Sequence, residues 1–185
     1  LLGVQLPVTG ARAAGGPFLG IGVSGGEDGA RHGPAIMGGG ARAHWDRVAP
    51  ILRAISAKFQ GEPCASWMGP EGAGHFVKTV HNGIEYADMQ MIAEIYGLMR
   101  DGLGLADSQI GDAFETWNQG TLESYLVEIS AIVAKSVDRS TGRPLLHMIV
   151  DAAGQKGTGR WTVIEAQHLA SPVPAIEAAV AARNL

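Results

Sequence analysis

The sequence lacks the features that mark several specialised classes of protein. Its single cysteine, Cys64, excludes an internal disulfide framework, so we expect a reducing compartment and a cytoplasmic protein. The net charge of −4 leaves no basic footprint for a nucleic acid. The apolar runs are too short for a membrane span, no Cys/His cluster of zinc type is present, and residues 1–16 lack the pattern of a signal peptide. Nucleic acids, membranes and metals are therefore not expected partners.

Glycine, in contrast, is abundant, with 27 residues in a chain of 185. The glycines are concentrated before residue 75, which indicates two structural regimes. In the first regime the apolar pattern predicts short strands and one helix that is kinked or broken at Pro50. The predicted strands are 17–23, 34–37 and 64–68, and the predicted helix is 41–58. The length suggests one domain with part of another, and we assign residues 1–72 to a partial α/β domain.

The second regime, residues 73–185, is predicted to be helical. A long helix covers residues 73–100. Asp107 and Thr121 are the predicted N-caps of the next two helices. The remaining predicted helices are 145–153, 161–169 and 174–183. The fold class is thus mainly α, with an all-helical domain preceded by a partial α/β segment.

One face of the long helix carries four polar side chains at helical spacing, namely Lys78, His81, Asn82 and Glu85. At about 100° per residue the other three side chains fall within about 60° of Lys78 around the axis. Lys78 and Glu85 lie roughly 10 Å apart along the axis, which leaves room for a sugar-sized molecule. The opposite face is predicted to be an apolar core stripe: Val77, Val80, Ile84, Ala87 and Met91. A polar face of this kind is either a solvated surface or a site that combines a base with an acid.

Two glycine-rich stretches are candidates for anion binding. Residues 20–25 match G-x-G-x-x-G after a strand, but residues 24–33 make a poor helix start, and a dinucleotide motif requires a helix there. We therefore expect either a loop in which the Ser24 hydroxyl and the N–H groups of Gly25 and Gly26 hold an anionic ligand, or a plain turn. In the second stretch, 154–162, Lys156 and Thr158 are candidates for holding a phosphate.

Together these segments resemble the decarboxylating 6-phosphogluconate dehydrogenase family. The resemblance rests on GIGVSGGEDGARHGPAIM, GAGHFVKTVHNGIEYADMQ, WNQGTLESYLVEI and DAAGQKGTGRWT, which occur in this order from about residue 17 onward. It implies an oxidoreductase of the pentose phosphate pathway and of gluconate utilization that uses NADP. The implied reaction converts 6-phosphogluconate to ribulose 5-phosphate and CO2, and the implied assembly is a homodimer.

The resemblance also implies a role for each matching residue. Lys78 would be the general base at the substrate 3-hydroxyl, and Glu85 the acid that protonates the enediol. The implied substrate contacts are Ser24, Gly25, Gly26, His81 and Asn82. The implied phosphate contacts are Tyr86, Lys156, Thr158 and Arg183. Glu27 would lie beside the nicotinamide, and no metal is required.

The resemblance is to only part of the family's length. The family begins with a complete Rossmann domain and continues past the position of Arg183 to a tail that reaches the partner subunit. We therefore expect a fragment, with residues 1–72 as the end of the nucleotide domain and residues 73–185 as an incomplete helical domain, and with little activity alone. Two alternatives remain open: a related β-hydroxyacid dehydrogenase, and a non-catalytic helical dimerisation module.

Overall fold

The computed structural model describes residues 16–185. The prediction for residues 1–16 therefore falls, apart from Gly16, outside the described residues. The chain divides into two compact units, of which the first ends at Gly83 and the second is Ile84–Leu185. Each unit is described by itself below, together with the long helix that contains the boundary.

The first unit is built on three strands, β1 (Leu19–Ser24), β2 (Ala35–Gly40) and β5 (Ala65–Gly69), while β3 (Lys58–Phe59) and β4 (Glu62–Pro63) form a separate short hairpin. The sheet order is β1-β2-β5. β1 is antiparallel to β2, and β2 is parallel to β5. Helix α2 (Arg42–Ile55) connects β2 to the strands that follow and supplies half of the core. The buried core residues are Ile36, Trp45, Ala49 and Ala65.

Two sequence predictions for this unit were wrong. The segment 24–33 is not a loop, because it contains helix α1 (Gly26–His32). This helix has acidic residues in its first turn and basic residues in its last turn, an order that its dipole favours despite the glycines. Of the two outcomes predicted at Pro50, the break is wrong, because helix α2 continues through this exposed residue. The carbonyl group that loses its backbone donor can bind water instead.

The long helix α3 (Ala73–Gly97) starts directly on the sheet of the first unit. Its Gly74 lies so close to β1 and β2 that an added Cβ would be 2.5 Å from the Gly20 carbonyl oxygen and 2.8 Å from the Gly39 nitrogen. At Gly74 the backbone of α3 therefore lies directly against the backbone of the sheet. At its other end α3 continues into a π-helical turn (Leu98–Gly102).

The predicted apolar stripe on α3 is only partly buried. Ala87 is buried, but Ile84 and Met91 are 51% and 52% exposed. The buried face in this part of the helix is instead marked by Tyr86, which emerges about 160° around the axis from Ile84. The contacts that α3 makes, and not the apolar repeat itself, therefore determine which face is covered.

The second unit is helical. Helices α4 (Asp107–Trp117) and α5 (Tyr125–Lys135) pack together around one core, a short 3-10 helix covers Leu145–Met148, and α6 (Thr158–His168) packs against α7 (Pro174–Ala182). The buried core residues are Met99, Ile110, Phe114 and Ala131. The Phe114 and Trp117 rings meet edge to face at 5.4 Å between centroids.

The predicted fold class is confirmed, while several helix limits in the second unit differ from the prediction. Ala106 and Ser124 are the N-caps of α4 and α5, in place of Asp107 and Thr121, and the Ser124 hydroxyl accepts a bond from the Val127 N–H at 3.2 Å. The predicted helix 145–153 is only the 3-10 turn. Within the described residues, no helix combines the length and the apolar character needed to cross a membrane.

Candidate active site

Lys78 is positioned by a glycine on the neighbouring strand. A Cβ added to Gly22 of β1 would lie 2.6 Å from the Lys78 Cβ and 2.6 Å from the Gly74 carbonyl oxygen. Gly20 faces His75 of α3 in the same way. Because alternate residues of a strand share a face, Ser24 is the next residue of β1 on the face that meets α3. The end of β1 and the base candidate Lys78 therefore belong to one surface of the first unit.

Three polar side chains of α3 form a chain of contacts. The Lys78 Nζ lies 3.5 Å from the His81 Nδ1, which lies 3.2 Å from the Asn82 Oδ1. All three residues are half-buried. One imidazole nitrogen thus faces both an amine and an amide oxygen. Its tautomer decides whether this nitrogen accepts a hydrogen bond from Lys78 or donates a hydrogen bond to Asn82. This arrangement suits a lysine that must exchange a proton.

Ser24 and the residues after it connect β1 to α1. Ser24 ends β1 and is half-buried, and Gly25, Gly26 and Glu27 are exposed at the start of α1. A helix does open after Gly25, contrary to the prediction. However, β1 and β2 are antiparallel, so this turn is not the parallel β-α-β crossover that a dinucleotide fingerprint requires.

Glu85 and Tyr86 follow on the same helix. Glu85 is half-buried and lies two turns beyond Lys78, as the spacing predicted. Tyr86 is 7% exposed. Two residues of the second unit contact its ring: Gly159, where a Cβ would lie 2.5 Å from the ring, and Arg183, whose guanidinium carbon lies 3.9 Å from the ring centroid.

Residues 154–159, here called the anion loop, lead into the N-terminus of α6. Gly157 caps this helix in a left-handed conformation with φ of 104°, which glycine adopts without strain. Lys156 is exposed and Thr158 is half-buried as the first helical residue. Backbone N–H groups at a helix start have no intrahelical acceptor and favour negative charge, so this end of α6 suits an anion.

Arg183 lies beside the same loop. Its Nη1 donates to the Gly154 carbonyl oxygen at 2.9 Å, and its Nη2 lies 3.7 Å from the Met89 Sδ. Four predicted phosphate contacts of the second unit, Tyr86, Lys156, Thr158 and Arg183, are therefore connected through Tyr86 and the anion loop.

Sequence reasoning missed two residues that shape the site, Gly22 and Gly159. Both are glycines that let another side chain approach the backbone. The signal in the sequence was the alternation of glycine in residues 20–25 and 157–159, which is interpreted above only as two candidates for anion binding.

A second polar cluster lies elsewhere in the second unit. The Tyr96 hydroxyl donates to the Asp107 Oδ1 at 2.5 Å, and the His147 Nε2 lies 2.8 Å from the Asp107 Oδ2. Burial, followed by the hydrogen bond and the charge of Asp107, raises the pKa of Tyr96, and Arg100 partly opposes this effect. No predicted site residue belongs to this cluster, which joins α3, α4 and the 3-10 turn.

The comparison with known protein families matches two consecutive parts of the chain. Residues 8–69 match the NAD binding domain of 6-phosphogluconate dehydrogenase, and residues 74–185 match the 6-phosphogluconate dehydrogenase C-terminal domain. The two matches meet near the start of α3.

Curated relatives are similar over most of the chain. The NADP(+)-dependent, decarboxylating 6-phosphogluconate dehydrogenase of Bacillus subtilis is 53% identical over 166 residues, which are 90% of this chain and 35% of that protein. The decarboxylating 6-phosphogluconate dehydrogenase of Homo sapiens is 54% identical over 91% of this chain and 35% of its own length. The chain thus spans about a third of the length of these relatives.

Solved structures are also similar to this chain. The Plasmodium falciparum 6-phosphogluconate dehydrogenase, studied in apo form and with its cofactor NADP+ or its substrate 6-phosphogluconate, superposes with a TM-score of 0.94 at 42% identity, covering 99% of this chain and 39% of that one. The 3-hydroxyisobutyrate dehydrogenase of Salmonella typhimurium, at 19% identity and a TM-score of 0.67 over 95% of this chain and 56% of its own, shares the fold. On the family matches and the identities together, this chain belongs to the 6-phosphogluconate dehydrogenase family.

Proposed function

We propose that this chain carries the substrate side of an NADP-dependent oxidative decarboxylation of 6-phosphogluconate to ribulose 5-phosphate and CO2, as part of the pentose phosphate pathway. The observation that carries the proposal is helix α3, on which a lysine with a histidine contact precedes a glutamate by two turns and a buried tyrosine follows. The Bacillus subtilis and Homo sapiens relatives share this chain's sequence at more than half of the compared positions.

The first step assigned to the chain is proton removal by Lys78. A lysine acts as a base only when neutral, and Lys78 is half-buried beside Gly22. Neutral Lys78 would take the proton of the substrate 3-hydroxyl as a hydride leaves the same carbon. NADP, when bound, supplies the acceptor for that hydride.

The product of oxidation is a β-keto acid, which determines the remaining steps. Its carboxylate leaves as CO2, and the bonding electrons pass to the 3-keto group, where protonated Lys78 donates to the developing enediolate oxygen. Glu85 would then deliver a proton to the carbon that lost CO2. Ser24, Gly25, Gly26, His81 and Asn82 would hold the substrate during these steps. The keto group serves as the electron sink, so none of these steps uses a metal.

Only one edge of the cofactor is matched by the described residues. Glu27 is exposed at the start of α1 and would lie beside the nicotinamide. The antiparallel β1–β2 pair offers no cradle for the pyrophosphate within the described residues, so Glu27 is the one cofactor contact that we propose for this chain.

The domain boundary and the assembly are further parts of the proposal. We place the nucleotide-domain portion at residues 1–72 and the helical portion at 73–185, supported by family matches to 8–69 and 74–185. A homodimer is supported by the exposed apolar side chains of the helical portion, among them Ile84, Met91 and Ile132.

Calorimetric titration with 6-phosphogluconate, with gluconate as the control ligand, tests the proposal. We expect saturable binding that requires the phosphate and is weakened about tenfold by Lys156→Ala, because a charge-assisted hydrogen bond contributes about 1.5 kcal/mol. Arg160→Ala is the matched control, since Arg160 is a nearby exposed cation, on α6, without an assigned contact. Equal binding of gluconate would instead support a related hydroxyacid dehydrogenase, and absence of binding by folded protein would contradict the proposal.

A further inference from the structure

The residues that follow α7 contact the anion loop at two adjacent points. Arg183 donates to the Gly154 carbonyl oxygen at 2.9 Å, and the Gln155 Nε2 donates to the Asn184 Oδ1 at 2.6 Å. Both bonds lie immediately before Lys156, the cation of the loop. Arg183 is already assigned to the phosphate, whereas Gln155 and Asn184 have no assigned role.

We propose that Gln155 and Asn184 are positioning residues that hold the anion loop in its binding conformation. This inference rests on the proposed function, because the loop is the part of the chain assigned to the substrate phosphate. Neither residue is required to touch the ligand. Their hydrogen bond fixes the backbone one residue before Lys156 and three before Thr158.

The loop needs such support because its own structure gives little. The 3-10 turn ends at Met148 and α6 begins at Thr158, and residues 151–156 are all exposed. An exposed segment without regular structure samples many backbone conformations, and a ligand that requires one of them must compensate for the lost entropy. A contact that selects this conformation in the free protein therefore raises affinity.

A hydrogen bond between helices α6 and α7 provides a matched control. The Gln167 Nε2 donates to the Glu177 Oε1 at 2.6 Å, which joins the end of α6 to α7. Like the bond between Gln155 and Asn184, this bond is donated by a glutamine Nε2 over 2.6 Å, and it is exposed. It lies more than two turns of α6 away from the anion loop, so its loss affects the packing of α6 on α7 and leaves the loop alone.

Four variants of the chain test the proposal: Asn184→Ala, Gln155→Ala, Gln167→Ala and the exchanged pair Gln155→Asn with Asn184→Gln. The exchanged pair keeps the number of side-chain carbons between the two backbones, so it can restore the bond. The first measurement is the backbone order parameter of residues 155–158 without ligand, from amide NMR relaxation. The second is the affinity for 6-phosphogluconate and for inorganic phosphate by calorimetry.

We expect Asn184→Ala and Gln155→Ala to lower the order parameters of Lys156 and Thr158 from about 0.85 toward about 0.6. Both variants should weaken both ligands about fivefold, which corresponds to one hydrogen bond of about 1 kcal/mol. Combining the two alanine substitutions should add nothing further, because both remove the same bond. The exchanged pair should recover most of the loss, and Gln167→Ala should change neither readout.

Unchanged order parameters at residues 155–158 in Asn184→Ala would overturn the proposal, as would an equal effect of Gln167→Ala. The relaxation measurement decides between these outcomes even if the chain binds neither ligand. In that case the proposed function fails, while the positioning of the loop is still confirmed or refuted by the order parameters.

Discussion

The two units achieve close packing in opposite ways. In the first, helix α3 meets the sheet where side chains are missing, at Gly20, Gly22 and Gly74, so backbone lies on backbone. In the second, α4 and α5 meet through large side chains, with Ile110 0% exposed and Phe114 3% exposed. Backbone contacts fix the distance between elements, whereas side chains adjust by changing rotamer. The difference teaches that an added carbon at Gly74 should damage the contact of α3 with the sheet, whereas removed atoms should damage the contact of α4 with α5.

The largest expected effect is the loss of Ile110 from the second unit. Ile110→Ala removes a fully buried side chain and leaves a cavity between α4 and α5, which we expect to cost about 4 kcal/mol in the free energy of unfolding. Denaturant unfolding measures the loss. Ile132→Ala, which truncates an isoleucine of α5 that is 58% exposed, is the control and should cost less than about 0.5 kcal/mol. Similar losses in both variants would contradict a side-chain core in this unit.

The corresponding change in the first unit adds one carbon. In Gly74→Ala the new Cβ would meet the backbone of Met37, Gly20 and Gly39, which cannot rotate away. We expect a cost of about 3 kcal/mol, even though alanine favours a helix. Amide hydrogen exchange in β1 and β2 localises the effect to the sheet. A stabilised protein would show that the helix and the sheet are not in backbone contact.

Removal of one hydroxyl from the second unit should have a smaller effect that depends on pH. Tyr96→Phe deletes the donor to the Asp107 carboxylate, at a cost of about 1.5 kcal/mol. The folded state raises the pKa of Tyr96 above 10.0, so its contribution is complete below about pH 10 and is lost as the pH rises further. The free energy of unfolding, measured from pH 7 to 11, should therefore decline above pH 10 in the parent and decline less steeply in the variant. Parallel pH profiles would contradict the assignment.

The smallest expected effect is a gain in stability, whereas the substitutions above lower it. Gly97, near the end of α3 in the second unit, has no neighbour within 4 Å of an added Cβ and has a helical φ of −60°. Gly97→Ala should stabilise the chain by about 1 kcal/mol because alanine loses less backbone freedom on folding. The same substitution is thus harmful at Gly74 and helpful at Gly97. Destabilisation at Gly97 would show that the contrast between the units does not extend to their glycines.

Much of the fold could be predicted because the apolar repeats follow the period of the element they form. The strands β1, β2 and β5 and the helices of the second unit lie where the pattern placed them, within a few residues. Helix α1 could not be predicted from propensity, because its glycines disfavour a helix while the order of its charges favours one. The exposure of Ile84 and Met91 could not be predicted either, since it depends on which face of α3 other elements cover.

Only the part of the candidate site that lies along a single helix was predictable. The spacing from Lys78 to Tyr86 follows from helical geometry alone, and the structure keeps it. The joining of Tyr86 to Gly159 and Arg183, more than 70 positions later in the chain, is a tertiary contact that no local pattern encodes. The roles of these residues stay predictions until binding is measured.

The contact between Gly159 and Tyr86 has a consequence for how this family can diverge. Every single-base change in a glycine codon that alters the residue introduces a Cβ or a stop, and a Cβ at this position lies 2.5 Å from the tyrosine ring. No first mutational step at Gly159 is therefore neutral while the ring stays in place. Natural descendants should replace the glycine only after, or together with, a smaller residue at the tyrosine position, so the two positions should be inherited as a pair.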